Sequence, residues 1–155
     1  EASVTVVEPG AGLRQHAGGD ADVDAITQIR HGNERDTVSF AGALDLAELA
    51  ALIAHADLVL CNNSGPAHIA AAVGTPVVDL YALTNPQHTP WQVPARVLSH
   101  DVPCKYCYKS ECPQQHQRCL RAIEPAVVAA AVLDLLHETR PRSAAAPTSE
   151  ALCTL

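Results

Sequence analysis

The sequence predicts an α/β fold, a parallel sheet with helices on both faces, and three observations predict it. Apolar runs alternate with helical stretches in the order β, α, β, α, β, α, β, loop, α, the signature of βαβ units. The run Asp57-Leu-Val-Leu-Cys61 is almost continuously apolar, as suits a strand covered on both faces. Helix punctuation falls between the runs: Asp45 precedes one apolar stripe, Pro66 opens another and Gly74 closes it.

The chain has 155 residues, enough for one domain with a hydrophobic core. It is 48% hydrophobic and 17% charged, with one Trp and one Phe, so the core is mostly aliphatic. A net charge of -7, with only 10 Lys plus Arg and no basic run, excludes a nucleic-acid-binding surface. No segment reaches the roughly 18 apolar residues of a transmembrane helix, and no secretory signal opens the chain. The cysteines are therefore expected to be reduced. Because the chain begins inside a strand, an upstream portion is expected to be missing.

In order, Val4-Thr-Val-Val-Glu8 reads as a buried strand and Pro9–Gly12 as a loop. His16–Ala21, rich in Gly and Asp, reads as exposed. A weak helix is expected over Val23–Arg30 and a short strand over Thr37–Phe40. Asp45 and Glu48 have the spacing of a capping box, and Leu46, Leu49, Ala50, Leu52 and Ile53 form a core-facing stripe behind them. Strand 57–61 leads through the turn Asn62-Asn-Ser-Gly65 into a helix with Pro66 at its first position, running to Val73. Strand Pro76–Tyr81, a Pro-containing loop over Ala82–Pro94, a short strand Arg96–Leu98 and a Cys-rich loop follow. A last helix runs from Pro125 to about Glu138. The domain is thus read as 1–138, with 139–155 a disordered Pro-, Ser- and Ala-rich tail.

Ligands of such sheets bind at the carboxyl ends of the strands. The turn after strand 57–61 has the parts of a phosphate site. Gly65 permits close backbone approach, the helix start offers unpaired N–H groups, Ser64 a hydroxyl and Asn63 an amide, and His68 lies in the first turn. The same residues also suit a plain turn in which Asn63 or Ser64 caps the helix, with His68 at the surface.

The stretch Leu58-Val-Leu-Cys-Asn-Asn-Ser-Gly-Pro-Ala-His-Ile-Ala-Ala-Ala-Val-Gly-Thr-Pro-Val77 resembles the signature segment of glycosyltransferase family 9, the lipopolysaccharide heptosyltransferases. The similarity continues through Leu83-Thr-Asn-Pro-Gln-His-Thr-Pro-Trp91, the Cys-rich loop and Cys119-Leu-Arg-Ala-Ile-Glu-Pro-Ala-Val-Val128. Upstream, Phe40-Ala-Gly42 and Asp45-Leu-Ala-Glu-Leu49 resemble the segment before the signature. Residues 37–137 are covered, whereas 1–36 match only loosely. The resemblance implies the C-terminal, Rossmann-like half of a GT-B fold, lacking its opening strand and helix. It implies that this half binds a nucleotide-sugar donor while the other half holds the acceptor and the catalytic base. By family position Asn63, Ser64, Gly65 and His68 line the donor diphosphate and sugar. Asn63 stands where many members carry Asp, which leaves the donor sugar open.

The same likeness brings Thr84, His88 and Thr89 near the donor, while Asn85 and Gln87 read as structural and Trp91 as a packing anchor. The spacing Cys104-x2-Cys107-x4-Cys112-x6-Cys119 fits a reduced, packed cluster. A structural zinc site is the alternative, since the first pair has the usual spacing and the second is looser. Lys105 and Lys109 read as solvated, with help in holding a phosphate as the alternative for either.

The function expected from the resemblance is the donor-binding part of an inverting glycosyltransferase. It moves a heptose or related sugar from a nucleotide-diphosphate sugar, ADP-heptose first among them, to a lipopolysaccharide-type glycan. No cofactor is required by that reading. The setting is cytoplasmic, with at most peripheral contact at the inner face of a bacterial inner membrane. The alternatives are a non-catalytic nucleotide-binding or zinc-stabilised module, or another GT-B enzyme such as a nucleotide-sugar epimerase. The Cys-rich loop and the His-Thr-Pro-Trp segment weigh against the epimerase.

Overall fold

The computed structural model describes residues 4–7, 14–18, 23–31, 37–109 and 111–140. The loop expected over Pro9–Gly12, most of the exposed segment after Gly18 and the tail from residue 141 lie outside the described residues. The strands are β1 (Val4–Val7), β2 (Arg14–Ala17), β3 (Thr37–Ser39), β4 (Leu58–Asn62), β5 (Val77–Leu80) and β6 (Ala95–Leu98). The helices are α1 (Val23–Arg30), α2 (Leu46–Ala54), α3 (Gly65–Val73), α4 (Arg118–Arg121) and α5 (Pro125–Thr139). The last helix runs one residue into the segment expected to be tail. All six strands form one sheet in the order β3-β2-β1-β4-β5-β6.

The α/β class and its helices stand as expected, and β2 to β3 and β4 to β5 to β6 are parallel. The difference lies at β1, which runs antiparallel to both of its neighbours, so the sheet is mixed there. The neighbouring strand β2 was not anticipated. Arg14-Gln-His-Ala17 has no β-branched residue to announce a strand, and it is one because β1 and β3 pair with its two edges. His16, expected at the surface, is therefore buried at 3% exposure.

The continuous apolar character of β4 is divided between two faces. Val59 and Cys61 meet Ile53 of α2, Ala67 and Ala70 of α3 and Val77 of β5. Leu58 packs with Val78 of β5 and Leu135 of α5, backed by Leu60 and Leu98. Helices thus cover both faces of the parallel half, where the small Ala67 and Ala70 let α3 lie close on the sheet.

Local chemistry sets the helix ends. Asp45 accepts the Glu48 N–H at 2.8 Å while Glu48 accepts the Asp45 N–H at 2.9 Å, completing the capping box. Leu46, expected in the core stripe, is instead 72% exposed, because it occupies the first turn before α2 reaches the sheet. Gly74 closes α3 at φ 85, in the left-handed region that glycine enters without a Cβ clash. The next residue, Thr75, is buried and donates its hydroxyl to the Ile53 carbonyl at 2.8 Å, tying the α3–β5 turn to the end of α2. Trp91, expected as a packing anchor, is 74% exposed. Its loop is held at the surface by a 3-10 turn, Pro86–His88, that Asn85 caps.

Candidate functional site at the carboxyl edge

The parallel strands β4, β5 and β6 all point their carboxyl ends to one edge of the sheet. A cleft of about 460 Å³ opens there. The turn after β4 contributes Asn62, Asn63 and Ser64, and the loop after β5 contributes Ala82, Thr84, Asn85 and His88. Tyr108, Lys109 and Leu120 of the Cys-rich region form the remaining wall.

Hydrogen bonds fix this geometry. Asn63 Oδ1 accepts the Ala82 N–H at 3.1 Å, joining the ends of β4 and β5. Ser64 is the N-cap residue of α3, yet its side chain makes no cap bond, and its hydroxyl is 3.2 Å from the Asn62 carbonyl. Neither Asn63 nor Ser64 caps α3 with its side chain, so the plain-cap alternative does not describe this turn. Asn85 caps the 3-10 turn, and its amide nitrogen also lies 3.1 Å from His88 Nε2, a contact in which that ring nitrogen accepts. The far wall docks through backbone bonds from Tyr106 N–H to the Leu83 carbonyl at 2.6 Å and from Tyr108 N–H to the Thr84 carbonyl at 3.2 Å.

Of the residues singled out in the sequence, Asn63, Ser64, Thr84 and His88 line one cleft. Gly65, His68 and Thr89 are not among its lining residues. Gly65 instead lines an apolar groove with Phe40, Leu46 and Pro66, and His68 is exposed on α3. A Cβ added at Gly65 would meet no protein atom within 4 Å. Asn62, Asn85 and Tyr108 line the cleft although none was singled out for it, and Lys109, read as solvated with phosphate binding as the alternative, lines it too. Lys109 was legible as a cation inside the Cys-rich loop that the resemblance covers.

The lining has a distinctive charge. In a chain of net charge -7 it carries one lysine, one histidine, amides and hydroxyls, and no carboxylate. Such a set donates hydrogen bonds to phosphate oxygens and sugar hydroxyls.

A second cavity of about 320 Å³ adjoins the first and shares Asn62, Thr84 and Lys109 with it. All four clustered cysteines line it, with His116. Each is a free thiol, and among the described residues no three Cys, His, Asp or Glu side chains already stand at metal-ligand spacing. The Cys112 thiol is held below its ordinary pKa, chiefly by the Gln117 backbone N–H, with the amides of Gln114, His116 and Gln115 adding to it. Four non-glycine residues of this region have positive φ: Tyr106, Tyr108, Gln115 and Gln117. Beneath the edge, Asp79 of β5 is fully buried beside Cys61, and neither of its carboxylate oxygens has a hydrogen-bond partner among the described residues. Burial pushes its pKa up to about 7, and burial with the nearby Asp79 pushes the Cys61 thiol up to about 12. No helix among the described residues is long and apolar enough to cross a membrane.

Known proteins share sequence and fold with this chain. Over 67 residues the chain is 48% identical to the lipopolysaccharide core heptosyltransferase OpsX of Haemophilus influenzae, covering 43% of this chain and 18% of that protein. The solved glycosyltransferase family 9 structure from Veillonella parvula superimposes with a TM-score of 0.65 at 28% identity, covering 79% of this chain and 36% of the other. The E. coli ADP-heptose lipopolysaccharide heptosyltransferase II superimposes with a TM-score of 0.63 at 27% identity, covering 81% and 36%. The chain therefore spans about a fifth of the length of this curated relative and just over a third of each solved chain. The family model for glycosyltransferase family 9 (heptosyltransferase) matches residues 13–118, reaching upstream of the segment where the resemblance was plain. That match includes the strand ends, the Asn63–Ser64 turn and Cys104, Cys107 and Cys112 of the cysteine cluster, and the chain belongs to glycosyltransferase family 9.

Proposed function

We propose that the chain forms the donor-binding part of an inverting glycosyltransferase that transfers a heptose from a nucleotide-diphosphate sugar, ADP-heptose, to a lipopolysaccharide-type glycan acceptor. The observation that carries the reading is the carboxylate-free cleft at the strand ends, with Lys109 as its cation in a chain of net charge -7. The diphosphate takes charge-assisted bonds from Lys109 and hydrogen bonds from Ser64 and Asn63, near the N-terminus of α3. Asn85, His88 and Tyr108 meet the sugar and ribose hydroxyls. Gly65, His68 and Thr89 take part when the donor extends past the cleft along α3 and the 3-10 turn.

In the transfer, an acidic group outside this chain removes the acceptor hydroxyl proton, and the hydroxyl oxygen attacks the anomeric carbon from the face opposite the diphosphate. The bond to the diphosphate oxygen breaks as the new one forms, which inverts the centre. Lys109 and the N–H groups of α3 stabilise the negative charge that gathers on the leaving diphosphate. The reading takes this step to need no metal ion and sets it in the cytoplasm, with the glycolipid acceptor reached from the membrane surface.

Calorimetric titration with ADP and ADP-heptose, against UDP and GDP, tests the proposal. Lys109→Ala is expected to weaken ADP binding by about 1.5–3 kcal/mol, the loss of a charge-assisted bond. Equal affinity of the wild-type chain and the Lys109→Ala chain for ADP overturns this use of the cleft.

A further inference from the structure

We propose that the Cys-rich region is a structural zinc site in which Cys104, Cys107, Cys112 and Cys119 are the four ligands and His116 supports the Cys104 sulfur without touching the metal. The four cysteines come from 16 residues of chain, and their side chains line a single cavity of about 320 Å³. Zinc takes four thiolates in a tetrahedron with Zn–S bonds of about 2.3 Å, which brings the sulfurs closer together than they stand here. Side-chain rotation closes them on the ion, forming four Zn–S bonds and releasing to solvent the protons the thiols carry.

Two features of the fold support this ligand set, and the first is the backbone around the cavity that all four cysteines line. The backbone turns sharply on both sides of the cavity to supply this geometry, with φ 60 and 54 at Tyr106 and Tyr108, either side of Cys107, and φ 57 and 46 at Gln115 and Gln117. The second feature is His116. Its Nδ1 accepts the Arg118 backbone N–H at 3.0 Å, so in the neutral ring Nε2 carries the proton. That Nε2 lies 3.7 Å from the Cys104 sulfur and donates to it. A nitrogen that carries a proton has no lone pair for a metal, so the ligand set is four cysteines rather than three with a histidine.

The site has a mechanical consequence. Tyr108 and Lys109 lie between Cys107 and Cys112, and Leu120 follows Cys119, so the metal clamps the segment that forms one wall of the larger cleft.

The whole chain, purified under reducing conditions from zinc-supplemented cells, is expected to carry one zinc per molecule by mass spectrometry. Replacement by cobalt should give the intense visible bands of a tetrahedral site and a thiolate-to-metal band in the near ultraviolet. Cys107→Ser and Cys112→Ser should each lose the metal, while Cys61→Ser, on β4, keeps it. His116→Ala leaves all four ligands and is expected to bind zinc roughly tenfold more weakly in competition with a chelating dye. Three results overturn the site: a natively folded chain with substoichiometric zinc and four freely reactive thiols, disulfides among the four, or full zinc affinity in either loop cysteine variant. Complete loss of zinc from a folded His116→Ala chain overturns the four-cysteine ligand set.

Discussion

Asp79 should make this domain less stable as the solution becomes more alkaline, and Asp79→Asn should remove that dependence. The carboxyl is fully buried on β5, opposite Cys61 of β4, and has no hydrogen-bond partner among the described residues. Burial raises its pKa from 3.8 to about 7. The fold therefore prefers the protonated acid. That preference is fully present below about pH 3.8 and is lost as pH rises through about 7. A shift of about three units at about 1.36 kcal/mol each gives on the order of 4 kcal/mol, a large part of the roughly 5–15 kcal/mol that holds a domain together. The ionisable neighbours that interact with Asp79 are Cys61 and Tyr81. Burial raises the pKa of both, so they stay neutral throughout this window. The isosteric amide never ionises, and its own burial cost does not vary with pH. Urea denaturation followed by far-ultraviolet circular dichroism suits the measurement, because the single Trp91 is 74% exposed and reports poorly on unfolding. Between about pH 4 and pH 8 the stability of Asp79→Asn relative to wild type should rise by on the order of 4 kcal/mol. A difference that stays constant across that range would falsify the reasoning, and would mean that the carboxylate finds a partner or water in solution.

Gly65→Ala is expected to leave stability unchanged or raise it by up to about 1 kcal/mol, since alanine is the better helix former and its Cβ meets no protein atom. Any fall in ADP affinity then reports the ligand itself, and an unchanged affinity moves the phosphates away from the start of α3. Gly74→Ala should cost about 1–2 kcal/mol in the same denaturation assay, because φ 85 forces a Cβ toward the following carbonyl oxygen. The 155-residue chain by itself, given ADP-heptose and a glycan acceptor, is expected to bind donor without transferring sugar, because it spans 36% of each solved relative. Turnover measured by release of ADP would show that the chain carries its own base.

The parts of this fold that could be read from sequence are those whose cause is local. The Asp45–Glu48 box, the Pro66 start and the Gly74 stop each follow from residues within a few positions of one another. Strand β2 was missed because its cause is not local. Nothing in Arg14–Ala17 prefers a strand, and only the edges of β1 and β3 make it one. Leu46 shows the converse, an apolar residue at the right helical spacing but one turn short of the sheet. The cleft divides in the same way. Its floor, Asn63 and Ser64, was legible because a strand end, a turn and a helix start follow in sequence. Its far wall was not, because the Tyr108 N–H reaches the Thr84 carbonyl across 24 residues of chain.

That division bears on how the site selects its ligand. The floor is fixed by the register of β4 and β5 and by the Asn63–Ala82 bond, so substitutions there disturb the sheet edge itself. The wall is docked by backbone bonds from Tyr106 and Tyr108, which do not depend on side-chain identity, and Tyr108 and Lys109 can therefore change with little effect on the fold. A cation on an exposed loop attracts any diphosphate, whereas hydroxyls and amides arranged around it distinguish one sugar from another. Diphosphate affinity should thus follow Lys109, and discrimination among donors should follow Tyr108, Asn85 and His88. Tyr108→Phe separates the two, because it removes a hydroxyl and leaves the charge. It is expected to keep ADP affinity within about twofold while lowering the preference for ADP-heptose over ADP-glucose by about 1 kcal/mol, the worth of one hydrogen bond. If ADP and ADP-heptose affinities fall together, Tyr108 acts on the phosphates and the sugar lies against another wall.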